Sequence, residues 1–179
     1  MTGEQRVLAA VEAAGLAHRV LRHGPVRSLA EAAAARGVEP VDVVKTLVVR
    51  RGEGDFLFVL VPGDRTISWP RLRELLGVSR MSMPDAAVAL EATGYERGTI
   101  TPFGSTTAWP VVADERLLGR EITLGAGAHG VAVALDADAT LPGRPLSIGA
   151  GAHGVAATVQ ADDLVRVLDA QVADVTEPA

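Results

Sequence analysis

Cysteine is absent from the 179 residues, which excludes disulfides, thiolate catalysis and Cys-ligated zinc, iron–sulfur or haem centres. Asparagine is absent too, so no N-glycosylation sequon exists. Aromatic residues make up only 3%, too few for an RNA reader built on stacked bases. No uninterrupted apolar run approaches the length of a membrane span. The opening stretch MTGEQRVLAAVEAAG carries acids within its apolar residues, so neither a signal peptide nor a membrane anchor is expected there. A cytosolic, cytoplasmic protein is the expectation. Lysine is nearly absent: Lys45 is the single lysine among 17 basic residues.

What remains is an ordinary globular composition, 48% apolar and 22% charged. The length suits one domain over residues 1–179, and no Pro/Ser-rich linker divides it. Net charge is −5, which argues against a partner such as bulk DNA. The charge is uneven. Residues 1–97 carry 13 basic and 12 acidic side chains, whereas residues 98–179 carry 4 and 10. A phosphate-bearing partner is therefore expected at the first half.

Val7, Leu8 and Val11 share one face of a helix over 4–14, stopped by Gly15. Residues 17–22 read as a short strand. Ser28 and Glu31 have capping-box spacing and open a helix that Gly37 ends. Val43–Arg50 and Phe56–Val61 flank a Gly-rich turn and read as a hairpin. Trp69–Leu76 lies between Ser68 and Gly77 and is expected to be helical. A further helix is expected over Pro84–Thr93, preceded by Ser82, and a last one over Asp162–Ala170. Hairpins and helices without regular β-α-β alternation give an α+β type of α/β fold with a mixed, mostly antiparallel sheet. A doubly wound parallel sheet is disfavoured, because the turns are too short for crossover helices.

A 24-residue unit occurs twice, over 119–142 and 143–166. Each copy reads as strand, glycine turn, strand, consistent with tandem duplication of a hairpin. The copies spell Gly125-x-Gly127-x-x-Gly130 and Gly149-x-Gly151-x-x-Gly154. A dinucleotide fingerprint would have to open a helix inside a βαβ unit, and here a strand-like run follows, so a hairpin turn is favoured.

The four histidines, His18, His23, His129 and His153, include no pair at i, i+4, and His129 and His153 are repeat copies. No metal is expected. His23, before Gly24-Pro25, fits a pocket wall or a surface loop equally. No Gly-x-Ser-x-Gly elbow is present. Lys45 sits among Val43, Val44, Leu47, Val48 and Val49, whose side chains favour burial. A chain that uses arginine at every other basic position has kept one compact ammonium there, which points to a specific role. The segment Thr93-Gly94-Tyr95-Glu96-Arg97-Gly98 runs into Thr99-Ile100-Thr101-Pro102-Phe103-Gly104. Its glycines and proline suit a loop that presents backbone amides.

Together, Val44-Lys45-Thr46-Leu47-Val48, Thr93-Gly94-Tyr95, Gly98-x-x-x-Pro102-x-Gly104, Ala113-Asp114, Asp162-Asp163-Leu164 and Ala173-Asp174 resemble the YbaK/ProX family. These are free-standing relatives of the editing domain of bacterial prolyl-tRNA synthetases. The resemblance spans about residues 5–175. It implies a barrel-like mixed sheet surrounded by helices. It also implies hydrolysis of the ester joining a wrong amino acid to the 3′ end of tRNA, often tRNA for proline. The partners it implies are the acceptor end of that tRNA and, secondarily, prolyl-tRNA synthetase. Carried over residue by residue, it gives catalytic roles to Lys45, Gly98 and Pro102. It gives substrate contacts to His23, Thr46, Thr99, Ile100, Thr101, Phe103, Gly104, Gly125 and Gly149. No cofactor or metal is implied.

The residues themselves agree with that chemistry. Without Cys, an elbow serine or a metal cluster, ester cleavage rests on positioning and on stabilising an oxyanion with Lys45 and backbone N–H groups. The duplicated hairpin departs from the family: either Gly125–Ala132 or Gly149–Ala156 takes the family position. The cysteine-removing branch has a serine and an acid there, and both copies here have Gly and Ala. Cysteine specificity is thereby in doubt, and alanine, serine, threonine or another small residue stays open. A non-catalytic module that holds a tRNA end or a synthetase is the alternative. A nucleotide-binding protein using the glycine repeat is a third.

Overall fold

A computed structural model describes residues 1–16, 20–125, 147–149 and 155–179. Helix α1, Gly3–Ala13, starts on a reciprocal cap. The Gln5 amide donates to Thr2 Oγ1 at 3.2 Å, and the Thr2 amide donates to Gln5 Oε1 at 2.8 Å. Val7 and Val11 are fully buried, as the periodicity requires. Strand β1 is Val20–Arg22. Helix α2, Leu29–Arg36, begins with the Glu31 amide donating to Ser28 Oγ at 3.1 Å and ends on Gly37 at φ 69°. Half of the expected capping box forms. The Glu31 carboxylate accepts from the Arg27 amide at 2.8 Å, one residue upstream of Ser28.

The hairpin is β2, Val43–Gly52, and β3, Asp55–Pro62, paired antiparallel with Lys45 opposite Val61. β3 is buried on both faces, which is why its sequence is apolar without alternation. Phe56, Phe58 and Leu60 join Val44, Val48, Val7 and Val11 in one core. Leu57, Val59 and Val61 join Val49, Ile67, Leu72 and Val175 in a second. Strand β4 is Arg65–Ile67 and helix α3 is Trp69–Leu76, within the bounds that Ser68 and Gly77 predict. Helix α4 covers Ala86–Thr93 and starts later than the sequence suggests. Its cap is Asp85, whose Oδ1 accepts from the Val88 amide at 2.9 Å. Ser82 instead makes a two-bond bridge to Arg50.

Strand β5, Val111–Asp114, pairs parallel with β3, and β6, Glu121–Gly125, pairs parallel with β2. Strands β7, Ser147–Gly149, and β8, Val155–Gln160, follow, then α5, Ala161–Val167. That helix stops short of the expected residue 170, where Asp169 takes a φ of 48°. Strands β9, Gln171–Ala173, and β10, Thr176–Pro178, are the last regular elements among the described residues. The main sheet runs β1-β8-β6-β2-β3-β5-β9, with β7 also on β8, while β10 and β4 form a two-stranded sheet. The mixed sheet with surrounding helices is the α+β type of fold expected.

The two repeat copies present equivalent strands to one neighbour. Thr123 and Ser147 both lie opposite Thr158, and Gly125 and Gly149 both lie opposite Ala156. The glycine turns of the repeat, with Gly127, Gly130, Gly151, Gly154, His129 and His153, lie outside the described residues, as does His18. Among the described residues no helix is long and apolar enough to cross a membrane. No group of three or more His, Asp or Glu side chains that could hold a metal occurs among them either.

Candidate functional site

One edge of β2 pairs with β6 only at Val43 and Val44, opposite Thr123 and Leu124. The same edge is taken again at Arg50, by Ser82. Between those points no described strand covers it, and the sheet opens into a cavity of about 770 Å³. This window explains why the consecutive residues Val43 to Val48 all line the cavity, although alternate side chains of a strand point to opposite faces. The far walls come from α2, from the start of α4 with the segment before it, and from Arg97, Gly98 and Ile100. Gly125, at the end of β6, completes the floor. A Cβ there would stand 3.2 Å from the Ile100 carbonyl oxygen, so glycine lets β6 and the 98–100 loop approach.

Lys45 lines the cavity, and its ammonium donates to the main-chain carbonyl of Arg65 on β4. An ammonium has three N–H donors, so two remain for a ligand. Burial lowers its pKa below the ordinary lysine value, and the Asp64 charge opposes that shift. Thr46 lines the cavity with a buried Oγ1 that has no partner. Gly98 holds a φ of 89°, a left-handed backbone that favours glycine. The next amide, Thr99, donates to the Glu96 carbonyl at 3.0 Å. The Gly98 and Ile100 amides donate to no group among the described residues.

The other residues expected at the site support this loop or lie beyond it. Thr99 is buried, its hydroxyl donating to Glu96 O at 2.7 Å, and Thr101 is buried with an unpartnered Oγ1. Phe103 belongs to the first core, and Pro102 is half-buried. Gly104 packs on α1, where a Cβ would stand 2.6 Å from the Arg6 backbone. None of these five contributes to the cavity wall among the described residues. His23 is half-buried and does not line the cavity among the described residues; its Nδ1 donates to Gly24 O at 2.8 Å, and its Nε2 is sealed without a partner. Gly149 stands on β7 opposite Ala156.

The loop is held from within and from α1. Tyr95, fully buried, donates its hydroxyl to the Phe103 carbonyl at 2.8 Å. Burial pushes that phenol up to about 12, against the pull of Arg6. Arg6 donates to Gly94 O at 2.7 Å and to Gly104 O at 3.1 Å, so it ties both ends of the loop.

Among the described residues, the cavity wall carries Arg27, Arg36, Lys45 and Arg97 against one carboxylate, Asp85, in a chain whose net charge is −5. Arg36, Arg97 and the clamp residue Arg6 were not legible as site residues. Each partner of Arg6 and Arg36 is more than 80 residues away in sequence. Beyond the Arg50–Ser82 bridge, β2 continues into a second, open groove lined by Arg50, Arg51, Arg73 and Arg80, with Glu53.

The family model of the aminoacyl-tRNA editing domain matches residues 23–141. The proline–tRNA ligase of Trichlorobacter lovleyi is 34% identical over 88 residues, 49% of this chain but 15% of the ligase. The chain thus spans a small part of the curated relatives it matches. The crystal structure of the hypothetical protein APE2540 is similar along almost the whole of both chains. It has a TM-score of 0.76 and 29% identity, and the match covers 96% of this chain and 99% of that one. A structure described as a candidate trans-editing enzyme for prolyl tRNA synthetase has the same TM-score at 26% identity, covering 99% and 98%. With two thirds of its length under the family model and its fold shared from end to end, the chain belongs to the aminoacyl-tRNA editing domain family, the YbaK group that includes the prolyl-tRNA synthetase editing domain.

Proposed function

We propose that this protein is a trans-editing hydrolase. It deacylates tRNA that carries a small non-cognate amino acid, with tRNA for proline the first candidate and prolyl-tRNA synthetase the synthetase it serves in the cytosol. The observation that carries this is the open edge of β2. Lys45, Thr46, Gly98 and Ile100 line one cavity there, and the Gly98 and Ile100 amides donate to no group among the described residues.

In the reaction, water adds to the ester carbonyl and an oxyanion forms. The C–O bond to the ribose then breaks, and the ribose oxygen takes the proton that water gives up. Donors aimed at the oxyanion lower that barrier without a protein nucleophile. An aminoacyl ester is already activated, so positioning and electrostatics suffice. We place the catalytic contacts on Lys45 and on the amides around Gly98. Pro102 has a supporting role, stiffening the exit of that loop. The arginines of the second groove are proposed to meet phosphates of the acceptor strand as it leaves the cavity.

The test is a panel of tRNAs for proline charged with alanine, serine, threonine or cysteine, incubated with catalytic amounts of protein. Loss of the ester above the spontaneous rate for at least one small amino acid is expected. Tight binding of the same tRNAs without turnover would replace this function with that of a non-catalytic binding module.

A further inference from the structure

Arg36 is a cation without a counter-ion among the described residues. It closes α2 and lines the cavity beside the point where β2 and β6 part. Its Nη1 donates to Thr123 Oγ1 at 2.6 Å, and Thr123 is itself fully buried. Its Nε is sealed from solvent with no partner. Its Nη2 donates to nothing among the described residues, yet it is not among the sealed atoms. No described carboxylate pairs with it. Asp42, close in sequence, is taken by Arg120 at 2.7 Å. Asp85, on the opposite wall, caps α4. Burial alone moves the guanidinium, down to about 10.

A half-buried guanidinium with a sealed Nε is costly when no anion accompanies it. A planar fork with a free, accessible N–H is shaped for an oxyanion with two acceptor oxygens. Thr123 fixes the fork, so the free edge is oriented before a ligand arrives. We infer that Arg36 is a binding residue for an oxyanion that the ligand brings into the cavity and that supplies the missing counter-charge.

This rests on the cavity taking an aminoacyl-adenosine end. Such an end offers two sources of that chemistry: the 5′ phosphodiester of the terminal adenosine, and the side-chain carboxylate of an acidic amino acid. Lys45 and the 98–100 loop are left to the ester. Arg36 then decides which anion sits beside it, and so orients the ester within the cavity.

The test measures equilibrium binding by calorimetry, with four stable probes and no hydrolysis step. The probes are adenosine, its 5′-methylphosphate, and the 3′-alanylamino and 3′-aspartylamino derivatives of 3′-deoxyadenosine. Wild-type protein is expected to bind one anionic probe about tenfold or more tightly than its neutral counterpart, the scale of a charge-assisted bond. Arg36→Gln should abolish that preference and leave neutral probes unchanged. Arg36→Lys should retain part of it, and Thr123→Val, which keeps the charge, should retain most.

Preference for the methylphosphate assigns Arg36 to the tRNA backbone, and preference for the aspartyl probe assigns it to the amino acid. Equal binding of neutral and anionic probes overturns the inference, as does a preference that survives in folded Arg36→Gln. Unfolding of both Arg36 variants would make the guanidinium a structural group and overturn it as well. Arg36-dependent anion binding in a protein that deacylates nothing would sink the hydrolase function alone. Deacylation without any Arg36-dependent preference would sink this inference alone.

Discussion

The guanidinium of Arg6 lies over the ring of Tyr95, 4.7 Å from its centre. The same guanidinium donates to the carbonyls of Gly94 and Gly104, so one side chain on α1 fixes both ends of the loop that carries Gly98 and Ile100. Arg6→Ala removes two charge-assisted bonds and a cation–ring contact. It is expected to cost about 2 kcal/mol in urea denaturation. It should also lower deacylation, because the loop amides lose their anchor. Arg6→Lys keeps a charge over the ring but not the fork, and should fall between. Unchanged stability in Arg6→Ala would show that the loop holds its shape without the clamp.

Asp114 plays the corresponding role at the far end of the sheet. Its carboxylate is fully buried and accepts from the Val175 amide at 3.1 Å, the Thr176 hydroxyl at 2.9 Å and Arg116 at 3.2 Å. It joins β5 to the β9–β10 segment. With the Arg116 amide, which also donates to it at 3.1 Å, Asp114→Ala strands four donors and is expected to destabilise by on the order of 3 kcal/mol. Asp174 continues the network, with Arg116 at 2.7 Å and Arg71 at 2.8 Å.

Chiefly through its bond to Arg116, Asp174 has a carboxyl pKa below the ordinary Asp value. A depressed folded-state pKa means that its stabilisation is fully present above the unfolded value and is lost as pH falls through the folded one. Thermal melts in that acid range should show a loss of stability that Asp174→Asn lacks. Parallel curves for the two proteins would remove Asp174 from the acid response.

Elements bounded by local signals were legible in the sequence. Ser68 and Gly77 frame α3, and the Gly-rich turn between Arg50 and Phe56 frames the central hairpin. Lys45 stood out through composition, and the structure brings it to the same cavity as Thr46, Gly98, Ile100 and Gly125. Other features depend on partners that no local signal names. Ser82 has the chemistry of a helix cap, yet its backbone is taken by Arg50, so α4 starts on Asp85. Thr99, Thr101 and Phe103 resemble a ligand-facing loop, but the Tyr95 hydroxyl folds that segment back on itself and turns them into the core. Arg36 reads as a helix-terminal cation. Only the pairing of β2 with β6 places Thr123 against it.

The arginine groove can be separated from the cavity by experiment. Arg51 is tied to Asp55 at 2.8 Å and Arg50 to Gly52 O at 3.1 Å, whereas Arg73 and Arg80 form no ion pair among the described residues. Arg73→Glu combined with Arg80→Glu is expected to weaken binding of full-length tRNA. The slope of log affinity against log salt should fall by about 1 for each phosphate that the variant no longer neutralises. Hydrolysis of a 3′-aminoacyl-adenosine, too short to reach the groove, should be unchanged. An equal loss on both substrates would show that the groove acts through the fold and not through RNA contact.

Lys45 gives the sharpest test of the chemistry. The residue lines the cavity, and its ammonium donates to the Arg65 carbonyl. The bond to Arg65 predicts a loss of stability of about 1 kcal/mol for Lys45→Ala, the usual value of one hydrogen bond. Deacylation should fall at least about a hundredfold, the scale of removing one donor from a developing oxyanion. Lys45→Arg should keep the fold and stay poor in turnover. A planar guanidinium cannot hold the Arg65 carbonyl and reach the same point in the cavity. Binding of an uncharged tRNA end should weaken only modestly in both variants, because the transition state, not the ground state, carries the charge. Near-normal turnover in Lys45→Arg would mean that any cation serves there. A collapse in melting temperature for Lys45→Ala, with turnover per folded molecule intact, would assign the lone lysine to holding β2 against β4 and move the catalytic role to the Gly98 and Ile100 amides.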